Sequence, residues 1–268
     1  MAITTAAKLY TMIIAKETQR FFTYKGNILA GCLTGLLMLA ARYALWSALF
    51  ATGNAQDATL TETMTFFVIN DILAIWLVSQ YSNFIGRDIQ SGDIAQRLIR
   101  PVPYHVQLVA AFHADAITNT VTRAAPMLIT AVIFIGLMPP TSLGALGLFI
   151  AALILGGVIY SLVDLIISYT AFWLTESWYL GWFKRALFIL FGGAMLPLWF
   201  YPDWLIAICE VLPFQFALFV PISIYLGRVP VTDAGFVLGM QLFWIVVLYL
   251  CERALWRLTQ YKLVVQGG

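Results

Sequence analysis

Five ionisable residues lie inside stretches apolar enough to cross a membrane: Arg42, Asp71, Asp115, Arg123 and Asp164. A charge held there costs about 2.5–3.5 kcal/mol on insertion scales, so each one needs a counter-charge, a hydrogen-bonding partner or water. Two roles fit them. They pair and fix helix packing, or they line a polar path for a substrate. Depth suggests one pairing. At about 1.5 Å per residue, Arg42 and Asp71, about 15 and about 14 residues from the cytoplasmic ends of neighbouring antiparallel spans, reach nearly the same level. Asp115 and Asp164 lie nearer the cytoplasmic side of consecutive helices. Carboxylates at Asp71, Asp115 and Asp164 would suit positive substrates, and aromatic faces bind organic cations. Phe, Trp and Tyr make up 15% of the chain, although aromatics also belt the interfaces of most membrane proteins.

Other chemistry is missing. No G-x-x-x-x-G-K-[ST] loop occurs, so a P-loop ATP site is excluded. His105 and His113 have no H-E-x-x-H pattern around them and read as interfacial or packed histidines. No G-x-S-x-G elbow is present. Cys32, Cys209 and Cys251 lie far apart in apolar stretches, read as small buried hydrophobes, and offer no metal site. A net charge of +2 argues against nucleic acid as a partner. The sequence therefore predicts neither an enzyme nor a cofactor held by this chain.

The elements that must position these residues are membrane helices. Hydrophobic residues make up 62% of the 268 positions and charged residues 10%, against about 45–50% and about 25% in soluble domains. Lipid is the solvent that removes the need to hide so much apolar surface. A spanning helix needs about 20 apolar residues, and Asn27–Ala51, Thr61–Ile85, Val106–Met138, Leu143–Leu174 and Thr232–Leu255 meet this requirement. A further region, Tyr179–Leu226, is too long for one span and too short for two. Pro197, Pro202, Pro213 and Pro221 divide it into a span, Tyr179–Phe200, and a helical hairpin over 201–228 that dips back into the outer leaflet. Irregular backbone at that depth must be covered by protein or line a cavity.

Charge sets the orientation. Of the 15 lysines and arginines, Arg42 and Arg123 lie within spans and Arg228 lies outside; the others fall on cytoplasmic segments when the N-terminus is inside. No secretory signal fits before Asn27, so the first 25 residues are expected in the mature protein. Ile3, Ala7, Tyr10, Ile14 and Phe21 share one helical face, with Lys8, Lys16 and Arg20 largely off it, which predicts an interfacial helix over 1–26. The fold class is an all-α membrane protein. It has six transmembrane helices, a re-entrant extracellular hairpin between spans five and six, and both termini cytoplasmic. All of this forms a single domain over 1–268.

The segment Gly86–Tyr104 joins spans two and three in the cytoplasm. Asp88 or Ser91 is placed to cap a short helix, and Pro101 and Pro103 end it. Ile94, Ala95, Leu98 and Ile99 make one of its faces apolar. Such a helix either docks on a separate protein or lies on headgroups. An acidic residue followed by S-G-x-x-x-x-x-L-x-R-P-V (Asp88, Ser91, Gly92, Leu98, Arg100, Pro101 and Val102) resembles the first cytoplasmic loop of ABC-2-type permeases, above all their drug- and viologen-exporter branch. A second stretch resembles the hairpin that precedes the last span of that family. It runs through Gly192, Gly193, Pro197, Pro202 and Trp204 to Leu212, Pro213, Phe214, Pro221, Tyr225, Leu226 and Gly227.

The resemblance covers essentially the whole chain. It implies a permease subunit of an ATP-driven exporter in the cytoplasmic (inner) membrane, moving an amphiphilic or cationic compound. ATP and Mg would be held by two copies of a separate P-loop ATPase. Asp88, Ser91, Gly92, Ile94, Leu98, Arg100 and Pro101 would form the coupling helix seated in that ATPase. A second permease, the same chain or a paralogue, would meet this one through the first and fifth spans. A secondary transporter or channel without an ATPase is the alternative, and a lipid-modifying membrane enzyme is a third reading.

Overall fold

The computed structural model describes residues 11–53 (except 13, 17, 20–22 and 24), 58–77, 99, 104–170 and 178–266. Among them the chain is helical throughout, with short connections and no strand. The apolar sequences leave few polar side chains to place, and the helices absorb several of those themselves. Hydroxyls of Thr34, Thr65, Thr118, Thr120, Thr122, Ser161 and Ser223 each donate to the carbonyl four residues back. This back-bonding removes a donor that lipid cannot satisfy.

The main helices are α1 (Lys25–Ala51), α2 (Leu60–Leu77), α3 (Tyr104–Asn119), α4 (Ala125–Phe134), α5 (Leu143–Tyr169), α6 (Trp178–Phe191), α7 (Asp203–Val211), α8 (Phe219–Tyr225) and α9 (Ala234–Gln266). Among the described residues, four stretches are long and apolar enough to cross a membrane: Lys25–Ala51, Ala110–Phe134, Leu143–Tyr169 and Ala234–Leu258. The expected second span is described only as far as Leu77, as α2. Of the interfacial helix expected over 1–26, the described residues between 11 and 23 are helical. The loop 86–104, with Asp88, Ser91, Gly92, Ile94, Leu98, Arg100 and Pro101, lies outside the described residues except for Ile99 and the start of α3.

The chain divides into two compact units, one from Met1–Ala48 and Val78–Gly136, the other from Leu49–Leu77 and Leu137–Gly268. In the first, a π-helical turn, Thr120–Ala124, joins α3 to α4, and the Ala125 N–H reaches back to the Thr120 carbonyl. Pro126 follows at once. Proline has no N–H to give the preceding turn and its ring crowds it; a turn widened by one residue accommodates both problems. Gly31 and Gly35, one turn apart on α1, pack against this widened turn. A Cβ at Gly31 would lie 2.8 Å from Thr122 Oγ1, and one at Gly35 would lie 2.8 Å from the Arg123 carbonyl oxygen. Paired small residues of this kind let membrane helices approach backbone to backbone.

In the second unit α5 is the hub, with α8 and α9 packed along it. Ser142 caps α5 by accepting from the Ala145 N–H at 3.0 Å. At the N-terminal end of α2 the Thr59 hydroxyl accepts from the Glu62 N–H, and the Glu62 carboxylate accepts from the Thr59 N–H, forming a capping box. The expected span Tyr179–Phe200 is shorter than the sequence suggests. Helix α6 has 14 residues and stops at Phe191, about 21 Å of rise. Gly193 then turns with φ +69, a conformation that favours glycine, and Gly192 lies so close to the Phe188 carbonyl that a Cβ there would come within 2.6 Å.

From Gly192 to Gly227 the chain is a series of short helical pieces. Pro197 precedes the 3-10 turn Leu198–Phe200, Pro202 precedes α7, Pro213 precedes the 3-10 turn Phe214–Phe216, and Pro221 is in the first turn of α8. Each sits where a missing N–H costs least. The irregular backbone is covered by protein. Gln241 of α9, fully buried, donates to the carbonyls of both Ala152 and Phe216 at 2.8 Å. Gly156 of α5 admits the Phe216–Ala217 main chain, where a Cβ would meet the Ala217 oxygen at 2.5 Å.

Candidate functional site

The intramembrane charges separate into distinct environments. Asp164 and Lys184 form a salt bridge between α5 and α6, each about 5% exposed. The Lys184 ammonium also lies 5.3 Å from the Tyr160 ring centre, and Tyr160 stacks on Phe188 at 4.3 Å. Lys184 belonged with the cytoplasmic basic residues on the sequence reading; it is buried instead. Asp164 is thus paired within the chain. Its partner was hard to foresee because it lies at the start of an apolar segment, where basic residues ordinarily flank a span.

Arg42 is half-buried on α1 and Asp71 half-buried on α2. They belong to different compact units, and each has partners. Asp115 is exposed on α3 and also partnered. Arg123 lies in the π turn and is exposed. It makes no ion pair or hydrogen bond among the described residues. Asp115, Asn119 and Arg123 recur every four residues and mark one flank of the helical run, with the Asn119 amide donating to the Asp115 carbonyl. Its neighbours Val121, Ile129 and Ile133 are exposed as well.

A third cluster was not foreseen. The Arg228 guanidinium makes a two-pronged salt bridge to Glu62, with Nη2 to Oε2 at 3.1 Å. It also stacks over the Trp199 ring at 4.0 Å. Below it Phe66, Trp199 and Phe219 pack together with ring centres 5.2–5.8 Å apart. The Asn70 amide donates to the Ala194 carbonyl at 3.1 Å. The cluster ties the start of α2 to the proline-rich segment at both of that segment's ends. The signal was present in sequence as the one basic residue outside the cytoplasmic segments and spans, facing a capping-box glutamate.

Of the hairpin residues, Phe214 contacts Phe188 and Phe191 with ring centres 5.3 and 5.9 Å apart, and Pro197, Pro213 and Pro221 are buried while Pro202 is exposed. The three cysteines are separate thiols, but only Cys209 is buried; Cys32 is half-buried and Cys251 exposed, so the reading of all three as buried hydrophobes holds for Cys209 alone. His113 meets Phe112 edge-on. No grouping of His, Cys, Asp and Glu among the described residues could hold a metal ion.

What the arrangement can do is hold helices together at two internal ion pairs and present a fixed cation on one helix flank. The family model described as ABC-2 family transporter protein matches residues 36–267. Comparison with curated proteins and with solved structures returned no match.

Proposed function

The chain belongs to the ABC-2 transporter family and is an ABC-2-type permease, and from that premise we propose that it is the membrane subunit of an ATP-driven exporter. The match over residues 36–267 carries this reading, since it takes in nearly all the membrane helices. ATP and Mg belong, on this proposal, to a separate P-loop ATPase present in two copies. The permease pairs with a second copy or a paralogue. The proposed topology keeps six spans in a single 1–268 domain in the cytoplasmic membrane, with both termini inside and 201–228 re-entrant from outside.

ATP binding by the ATPase favours one of two conformations of the pair. The loop 86–104 conveys that change to the spans through Asp88, Ser91, Gly92, Ile94, Leu98, Arg100 and Pro101. The cargo is an amphiphilic compound of the kind moved by the drug-exporter branch, a reading supported by spans rich in aromatics and poor in charge. Arg42 and Asp71 are proposed to pair at mid-depth. With Asp164 held by Lys184, Asp71 assigned to Arg42 and Asp115 partnered, the three carboxylates give a cationic cargo little support.

Substitution in the loop tests the coupling. Gly92→Pro or Arg100→Ala is expected to lower ATP-driven transport in proteoliposomes about tenfold or more while the permease still inserts. Unchanged transport in both variants would remove the loop from the coupling path.

A further inference from the structure

The exposed Arg123 is the feature that the structural roles above leave unexplained. It falls near the centre of the apolar stretch Ala110–Phe134, about 20 Å from one end and about 17 Å from the other at 1.5 Å per residue. Neither interface is within reach of an arginine side chain, so it cannot snorkel. Side-chain partners within its own helix are spoken for. Thr118, Thr120 and Thr122 turn their hydroxyls back to main-chain carbonyls. Asp115, about 12 Å away along the axis, has partners of its own.

The surroundings are amphipathic, with apolar Val121, Ile129 and Ile133 exposed beside Arg123 and polar groups on its other side. Asp115 is exposed, and Asn119 and Thr120 are partly exposed, on the cytoplasmic-facing side of Arg123. The π turn that carries Arg123 is held in place by Gly31 and Gly35, so the guanidinium is presented from a rigid base. Widened turns of this type recur at functional sites in membrane and soluble helices. A planar fork of N–H donors matches carboxylate and phosphate oxygens.

We infer that Arg123 is a binding point for the anionic group of the transported amphiphile, a carboxylate or phosphate-like head carried past the middle of the span. This rests on the permease reading and narrows its substrate class. The permease in phosphatidylcholine nanodiscs is titrated with a pyrene-labelled alkyl carboxylate and with its primary amide, read by fluorescence. The carboxylate is expected to bind about tenfold more tightly than the amide, as a charge-assisted contact at a fixed cation provides.

Arg123→Gln should bring that ratio close to one with amide binding retained, and Arg123→Lys should keep most of the preference. Equal binding of the two probes by the unaltered protein, or an unchanged ratio in R123Q, overturns the inference. If R123Q binds neither probe, R123K decides: a preserved ratio supports the site and a lost one counts against it. If R123Q splits the two-permease assembly and leaves the ratio alone, Arg123 is a subunit contact and the inference fails. Competition by added phosphatidylglycerol would make a bilayer lipid the source of the anion, and absence of competition a free amphiphile; both keep the site. Transport failing for the unaltered protein with its ATPase would count against the permease reading, whereas the binding ratio tests Arg123 alone.

Discussion

At the scale of residues, a charge inside a membrane is defined by its partner, and the partner is often remote in sequence. Asp164 and Lys184 illustrate the point: hydropathy marks the aspartate as costly, but nothing in the local pattern names a lysine in another helix. Of the five intramembrane charges, depth suggested a pairing only for Arg42 and Asp71, and Asp164 was legible without its partner. The same holds for Glu62 and Arg228, whose capping and outlying positions were visible separately. Breaking the buried pair leaves one ion without compensation, which costs about 3–5 kcal/mol. Asp164→Ala should accordingly lower the melting temperature of the detergent-solubilised protein sharply. A double replacement by apolar residues of similar size, Asp164→Leu with Lys184→Met, should recover most of the loss. A double variant as unstable as the single one would mean that the two residues act separately. The Glu62–Arg228 bridge is partly exposed and worth less. Glu62→Gln is expected to cost about 1 kcal/mol and to raise proteolysis within 201–228, measured by limited digestion.

At the scale of elements, the prolines between Gly192 and Gly227 foretold short helical pieces because proline's missing N–H restricts where it can sit. They did not foretell that α6 stops at Phe191, nine residues before the expected end at Phe200. The Gly192–Gly193 pair does that, through a positive φ and an approach to the Phe188 carbonyl that no side chain permits. The π turn was hidden for a different reason: hydropathy runs unbroken through it, and only Pro126 hints that the ladder must shift. Close backbone approaches are equally silent in composition, since Gly31, Gly35 and Gly156 look like any small residues in an apolar run. Gly35→Leu should destabilise the first unit and Gly156→Leu the second, each by about 2 kcal/mol or more, because the clash is with main chain that cannot rotate away. Thermal unfolding in detergent measures both. A Gly156→Leu protein that melts like the parent would show that the segment around Ala217 is free to move off α5.

At the scale of the whole molecule, the class was readable because composition and span length obey the thickness and dielectric of the bilayer, whatever the tertiary detail. The family was readable from the order of two modest motifs along that topology, and the match over residues 36–267 places the chain in it. The cargo was not readable, because charges that could serve a path and charges that only fasten helices look alike until their partners are known. Asp164 is paired with Lys184, whereas Arg123 stands apart from any partner among the described residues. The central claim is that this permease moves its cargo only with a separate ATPase. Its most direct measurement is purification of the tagged chain from its native membrane at low detergent, followed by identification of what stays bound and assay for ATP hydrolysis. A P-loop ATPase is expected in equal amount to the permease, with hydrolysis that follows the complex. A chain that purifies without an ATPase, and still moves its cargo in vesicles lacking ATP, would contradict it.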